Sequence, residues 1–356
     1  MQKGLAVQNM AFLAVYGQGL PVLALRRTPG VRPVLLLVGL IMNVQYVAQR
    51  LLTALVVLLG VTFAVFLIIQ LVPGDPARVI LGVQANEENV AALRERLGLN
   101  DPFLVQYGTW LQNAFRGDLG KSLITGQEVT PQILQRLPAT LQLAAAALVI
   151  GLAIALPAGI VSALKPGSKV DVFASVLSQV GVAIPDFWMG IMLILVFSLT
   201  LGWLPARGYT PIQEDFLDWL QHIILPAATL GIISGAIQTR FVRSAMLEVL
   251  SENYIRTGHA KGLAERKVIM GHALPNAMIT IVTIIGLQIT ALLSAVVVVE
   301  VVFGWPGLGR LALDAVLDRD YPLLQGTVLA MASMLTLVNL GVDLLYFVLD
   351  PRIEYA

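Results

Sequence analysis

Six stretches of this chain are long, mostly apolar and nearly free of charge, and each stops at a charged or helix-breaking residue. They run over 51–72, 137–164, 172–201, 223–237, 273–299 and 322–342, the fourth continuing to Arg240. A helix needs about 20 predominantly apolar residues to cross the hydrocarbon core of a bilayer. The first run ends at Pro73-Gly74-Asp75-Pro76, the second lies between Arg136 and Lys165, the fifth ends at Glu300 and the sixth reaches Asp343 before Asp350-Pro351. The third is interrupted at Ile184-Pro185 and carries Asp186. Only 13% of residues are charged and 57% are hydrophobic, whereas a soluble domain carries about 25% charged residues. Such a chain has too little polar cover for water, so its solvent is lipid, and the expected fold class is an all-α polytopic membrane protein of about six transmembrane helices.

The connections fix an orientation. Arg50, the turn with Lys165 and Lys169, the stretch from Arg240 to His272, and Arg352 all fall on one side of the six-span unit. Glu214, Asp215 and Asp218 fall on the other, with Asp314, Asp318 and Asp320. Excess Lys and Arg marks the cytoplasmic side, so both ends of the unit are expected in the cytoplasm and the long loop 73–136 outside. Residues 1–41 fit this plan poorly: 34–42 is too short to span, no signal peptide is evident, and Met42 opens an ordinary cytoplasmic lead-in. The chain therefore divides into an N-terminal extension, 1–41; a first span with the long loop, 42–136; and a core transmembrane unit, 137–356.

The segment 246–275 breaks the apolar pattern. Met246, Leu250 and Tyr254 recur at helical spacing, Gly262 is the kind of residue that ends a helix in the left-handed conformation, and a second short helix over 264–272 leads to Leu274-Pro275. This predicts a helix–turn–helix on the cytoplasmic face. Basic amphipathic helices at that position anchor to membrane surfaces or dock a partner, and pattern alone leaves both open.

Its wording resembles the EAA loop of binding-protein-dependent ABC importer permeases, in which a glycine, nine residues, an aliphatic residue, any residue and Leu-Pro follow one another. Gly262, His272, Leu274 and Pro275 fill those positions here, with His272 departing from the aliphatic one and Arg256-Thr257-Gly258 standing where the name motif falls. "LGLNDPFLVQY", "RGDLGKSLITGQEV", "RLPATLQLA", "IPDFWMG", "GWLPARGY", "VFGWPGLGRL" and "VDLLYFVLDPRIEY" are similar to the peptide/nickel branch in content and order, over 42–356. The resemblance is closest to its dipeptide/oligopeptide B-type subunit. It implies type I ABC importer permease architecture in a bacterial or archaeal plasma membrane, a second homologous permease, two cytoplasmic ATP-binding subunits and an external solute-binding protein. It further implies a di- or oligopeptide as solute, nickel complexes and oligosaccharides being the relatives' other solutes. The ATPase-coupling residues it implies are Arg256, Thr257, Gly258, Lys261, Gly262, Glu265, Arg266, Leu274 and Pro275.

Other motifs point elsewhere or nowhere. "GDLGKS", 117–122, has two residues between its first glycine and Gly-Lys-Ser, where a phosphate-binding loop needs four in a strand-to-helix turn. No nucleotide site is expected in this chain, so it is not expected to be an enzyme, and ATP hydrolysis falls to partners. There is no cysteine, the three histidines 222, 259 and 272 have no metal-ligand spacing, and a net charge of +1 implies no nucleic-acid partner. No catalytic residue, cofactor or metal is expected. Asp186 is read as the cap of the helix after Ile184-Pro185, with a place on the solute pathway as its alternative. Asn339 and Asp343 are read as interhelical hydrogen-bonding residues and Glu300 as interfacial. A stand-alone secondary transporter and an intramembrane enzyme stand as alternatives. The first would show internal repeats and the second a catalytic constellation, and co-purification with an ATPase separates all three.

Overall fold

The computed structural model describes residues 32–71, 76–81, 85–96 and 98–349. The expectations for residues 1–31, Pro73-Gly74-Asp75 and Asp350-Pro351 lie outside them. The chain divides into two units at Val56/Val57. The boundary falls inside α1, Arg32–Leu71, a continuous helix of 40 residues. Within it, Ala48–Leu71 is long and apolar enough to cross a membrane.

Three short helices follow in the second unit: α2, Pro76–Leu81; α3, Glu87–Arg96; and α4, Phe103–Phe115. The remaining elements are α5, Val129–Leu164; α6, Lys169–Ala183; α7, Asp186–Leu193; α8, Phe216–Leu250; α9, Asn253–Ala260; α10, Glu265–Val268; α11, Leu274–Phe303; α12, Leu308–Leu317; and α13, Tyr321–Leu349. Among the described residues, five helices are long and apolar enough to span, and a sixth span is formed if the bent pair α6–α7 is counted as one. The pair bends by 104° between Ala183 and Asp186. Pro185 supplies the cause: its φ of −65° and missing N–H start α7 but cannot continue α6. After Leu193 the helix loosens into a π-helical stretch, Ile194–Thr200.

Two spans begin or end well outside their apolar runs. Helix α5 starts at Val129 and carries Pro138 and Pro157 in its interior. Helix α8 starts at Phe216, where the Asp215 carboxylate accepts from the N–H groups of Leu217 and Asp218 at 2.8 and 3.1 Å, and it continues ten residues past Arg240 to Leu250. The polar ends of both helices look like loop in the sequence because they project beyond the apolar stretch.

Helices α5 and α8 form the tightest seam. Ala147, Gly151, Ala155, Gly159 and Ala163 recur every fourth residue on α5, and all are buried. Opposite them stand Gly231, Gly235, Thr239 and Val242, also buried. A Cβ at Gly231 would lie 2.6 Å from Ile150 Cγ2, one at Gly235 3.0 Å from the Gly151 carbonyl, and one at Gly159 2.6 Å from Val242 Cβ. Small residues let two backbones approach where lipid gives no hydrophobic drive, so the gain comes from dispersion over the contact. Helix α6 joins the seam through Ser178, whose hydroxyl donates to the Ala236 carbonyl.

The core falls into two clusters. One, around Leu143, Val296, Phe303, Trp305 and Leu308, fills the end of the bundle that carries α12. The other, around Ala155, Val242, Met246, Ile255, Val268 and Ile281, fills the opposite end.

Candidate functional site

The segment 246–275 is built in steps. Helix α8 ends at Leu250, and Ser251 donates its hydroxyl to the Glu248 carbonyl at 2.7 Å. Glu252 is extended, so the run from Met246 to Tyr254 is two helices rather than the one its spacing predicts. Helix α9 then presents Ile255 and Gly258 inward. Gly262 has φ +75°, and nothing lies within 4 Å of the position its Cβ would take. The left-handed backbone, not lack of space, therefore demands glycine there.

The second helix differs from expectation. It does not close at His272 before a separate span. Helix α10 passes through a π-helical turn, Ile269–Ala273, directly into α11, and Glu265–Phe303 forms one stretch of 39 residues. The N–H of Leu274 reaches back to the Ile269 carbonyl. Pro275 explains the widened turn, since it has no N–H to give to the preceding turn and its ring needs room there. The short arm is thus the direct extension of a membrane helix.

Of the nine residues expected to couple, Arg256, Thr257, Lys261, Gly262, Glu265 and Arg266 are exposed, as is Pro275. Gly258 is buried under Val268, and Leu274 is half-buried against the inner cluster. The geometry brings the six exposed residues onto the outer surface of one compact pair. An open cavity of about 490 Å³ lies beside Ala264, Arg266, Lys267, Met270 and Gly271. Underneath, Ile255 (2% exposed) and Val268 (0%) seat the pair on Ala163 of α5, Met246 of α8 and Ala277 of α11. Tyr254, at the edge, has its phenol pushed above the usual value by partial burial and then by Glu252, so it stays neutral. His272, at the position where the family pattern has an aliphatic residue, is exposed.

Asp186 lies apart from this pair. Pro185, not Asp186, occupies the N-cap of α7, and no side chain caps that end. Asp186 is one residue too far into the helix to accept in the N-cap manner, which corrects the capping expectation. It can complement only the positive end of the helix dipole.

Three buried carboxylates among the described residues escape a reading of the sequence. Asp171 takes a two-pronged ion pair from Arg243 (Nε–Oδ1 2.6 Å, Nη2–Oδ2 2.8 Å), accepts from the Ser162 hydroxyl and accepts from the Gly167 N–H at 2.8 Å. It ties the α5–α6 turn to α8, seven residues before that helix ends. Glu300, expected to be interfacial, is fully buried. Its Oε1 accepts from Thr140 Oγ1 at 2.6 Å, and its Oε2 accepts from the N–H groups of Gly309 and Arg310 at 2.7 and 3.2 Å. It caps α12 from a different helix. The approach needs Gly307, where a Cβ would lie 1.8 Å from Glu300 Oε1. A third, Asp320, accepts from the Ser122 hydroxyl and from the N–H of Leu123 at 3.1 Å. That contact determines the form of the "GDLGKS" segment: Ser122 is buried, and Lys121 bridges Glu128 in an antiparallel pair rather than opening a helix. Asn339 does bond between helices, accepting from Thr290 of α11.

Five or six apolar spans among the described residues, with a helix pair carried on the extension of one of them, are the elements of an ABC importer permease. Solved inward-facing structures of the MetNI methionine ABC transporter share this fold, with a TM-score of 0.51, 15% identity, and 62% of this chain and 96% of theirs covered in one crystal form. In a second form the TM-score is 0.51, the identity 17%, and the shares 61% and 96%. The chain belongs to the family of binding-protein-dependent transport system inner membrane components, whose model matches residues 155–355, with the family's N-terminal model matching 42–144. Similar curated proteins include the dipeptide transport system permease protein DppB of Alkalihalophilus pseudofirmus, 42% identical over 87% of this chain and 99% of that one. The oligopeptide transport system permease protein AppB of Bacillus subtilis is 41% identical over 87% and 99%. The di/tripeptide permease protein DppB of Pseudomonas aeruginosa is 40% identical over 87% and 99%.

Proposed function

We propose that this chain is one of two permease subunits of a peptide importer, and that the pair α9–α10 takes up the stroke of cytoplasmic ATPases. The names of the relatives support a di- or oligopeptide as solute. Membership of a binding-protein-dependent family supports an external delivering protein and a second, homologous permease. This chain binds no nucleotide in this reading; hydrolysis belongs to its partners. Both ends of the six-span unit face the cytoplasm, since Lys165, Lys169, Arg256, Lys261 and Arg266 all lie toward the α9–α10 end. Residues 1–41 are dispensable for assembly.

The observation that carries the reading is the seating of α9–α10. Its exposed face is charged, its buried face is fixed to α5, α8 and α11, and its second arm is continuous with a span. A push on the exposed face therefore reaches three membrane helices without a flexible joint. Asp186, at the 104° bend, is proposed to face the solute pathway. Charge reversal at Arg266 in the assembled transporter tests the coupling role. It should lower ATPase association in a salt-dependent way and abolish peptide uptake, whereas unchanged uptake would return the segment to a membrane anchor. Cysteine at Asp118 should react with an impermeant thiol reagent applied from outside and cysteine at Lys165 should not; the reverse labelling would overturn the orientation alone.

A further inference from the structure

The loop 73–136 reads as external and polar, but α4 inside it carries no charged residue: Phe103–Phe115 is "FLVQYGTWLQNAF". One face of α4 is fastened to the first span. Phe103 packs edge-on to Phe63 and Phe66 at 5.5 and 5.4 Å between ring centres, and Tyr107 lies at 5.4 and 5.6 Å from the same two rings. The Tyr107 hydroxyl hydrogen-bonds to the Thr62 hydroxyl at 2.9 Å and to the Leu59 carbonyl at 3.2 Å. Gln70 donates to Gln106 at 3.2 Å.

These contacts fix a depth. Leu59 lies twelve residues before Leu71, the last residue of the span, which is about 18 Å along a helix axis rising ~1.5 Å per residue. Half of the hydrocarbon core is only about 15 Å thick. A helix whose tyrosine reaches the Leu59 carbonyl cannot stand clear of the membrane while Ala48–Leu71 crosses it. The opposite face of α4 agrees, because Leu104, Val105 and Phe115 are 69%, 50% and 73% exposed among the described residues.

We infer that α4 is a membrane-embedded helix, lying against the first span in the leaflet on the 72–102 side, with Leu104, Val105 and Phe115 covered by lipid acyl chains. Lipid fits better than water because three large apolar side chains are exposed on a charge-free helix whose contacts run along the first span from Gln70, at its end, inward to Leu59. Gln106 donates to the carbonyls of Leu99 (3.2 Å) and Asp101 (2.8 Å), so the turn entering α4 is satisfied internally, as such an environment demands. The inference needs only that the chain spans a membrane; it does not depend on the solute or on the coupling role.

The chain has no cysteine, so single nitroxide labels can be placed cleanly. Leu104→Cys, Val105→Cys and Phe115→Cys would be labelled in the full chain, assembled with its companion subunits in phosphatidylethanolamine–phosphatidylglycerol vesicles. Relaxation enhancement by oxygen, which concentrates in lipid, is then compared with that by a water-soluble nickel chelate. Oxygen should dominate at 104, 105 and 115, as at the exposed span position Ile68, while nickel should dominate at Glu88 on α3. Nickel dominance at the three α4 positions would place the helix in water and overturn the inference. Immobilised labels reached by neither collider would overturn it in favour of a protein partner. As a second measure, Leu104→Asp should lower the melting temperature of the assembled complex; an unchanged value would also count against lipid.

Discussion

The two ends of the α5–α8–α11 bundle are built in opposite ways. At the α12 end, beneath the exposed Asp314, Asp318 and Arg319, two carboxylates are buried: Glu300 and Asp320 each accept from at least two groups on other segments. Trp305 is buried as well, donating to the Ala139 carbonyl at 2.9 Å and meeting Tyr209 edge-on at 4.8 Å. At the α9–α10 end, charge is displayed: Arg256, Lys261, Glu265 and Arg266 face outward, and the cluster beneath is made mostly of Ala, Val and Ile. Asp171 with Arg243 is the exception there, holding the base of the bundle rather than the arm. A buried carboxylate with several fixed donors has one good geometry and resists displacement. An exposed charge on a seated lever can meet a partner without altering the fold. Under the proposed function, the difference suits one end to rigidity and the other to contact.

The largest expected effect lies at the rigid end. Gly307→Ala places a methyl group 1.8 Å from the present position of Glu300 Oε1, so the carboxylate must leave. Three donors then lose their acceptor: Thr140 Oγ1 and the N–H groups of Gly309 and Arg310. Each buried donor left unsatisfied costs roughly 1–3 kcal/mol. Gly307→Ala and Glu300→Ala should both lower the melting temperature of the purified complex sharply, and they should not be additive, because both break the same cap. Full additivity would mean that Gly307 matters for some other reason.

A smaller effect is expected at Asp171. Asp171→Asn removes the charge opposite Arg243 and keeps one oxygen, so it can still accept from either the Ser162 hydroxyl or the Gly167 N–H, which donate to different carboxylate oxygens in the wild type. Arg243 is 29% exposed and can recover some hydration, so the loss should be well below that of Glu300→Ala. Arg243→Lys should fall between wild type and Asp171→Asn, since an ammonium cannot reproduce the two-pronged pair. Thermal melts of the three variants check the order. A loss at Asp171 equal to that at Glu300 would erase the distinction between the ends.

What the sequence made legible follows from the physics of each signal. The spans announce themselves because lipid forces length and apolarity on any helix that crosses it, and the glycine turn at 262 shows because few other residues accept that backbone. The exposed face of the α9–α10 pair was readable for the same reason, since charge between apolar runs has nowhere else to go. The buried carboxylates were not readable. Glu300 and Asp320 sit at span ends, where acidic residues ordinarily face water, and their partners Thr140 and Ser122 lie 160 and 198 residues away in sequence. Only the three-dimensional contact makes them buried. Asp186 misled in the opposite sense: an acidic residue after Ile-Pro reads as a cap, but the proline itself takes the cap position. Helix α4 was hidden because its neighbours in the loop are charged, so the average over 73–136 masked thirteen uncharged residues.

The smallest effect on stability should come with the largest effect on coupling, and it completes the contrast between the ends. Gly262 stands at φ +75° with open space where a side chain would go. Gly262→Ala keeps that space free of clash, so its cost is the left-handed backbone alone, about 1 kcal/mol. Gly262→Val adds a branched side chain that resists the same conformation further. Both variants should melt within a few degrees of wild type, far from the loss at Gly307. Transport should nevertheless fall, more for valine than for alanine, because relaxing the turn re-aims α10 and with it the start of α11. ATP hydrolysis by the partner subunits should persist but lose its stimulation by solute. If Gly262→Val transported normally, the exposed end would be a membrane anchor, and the contrast would be one of solvation rather than of rigidity and contact.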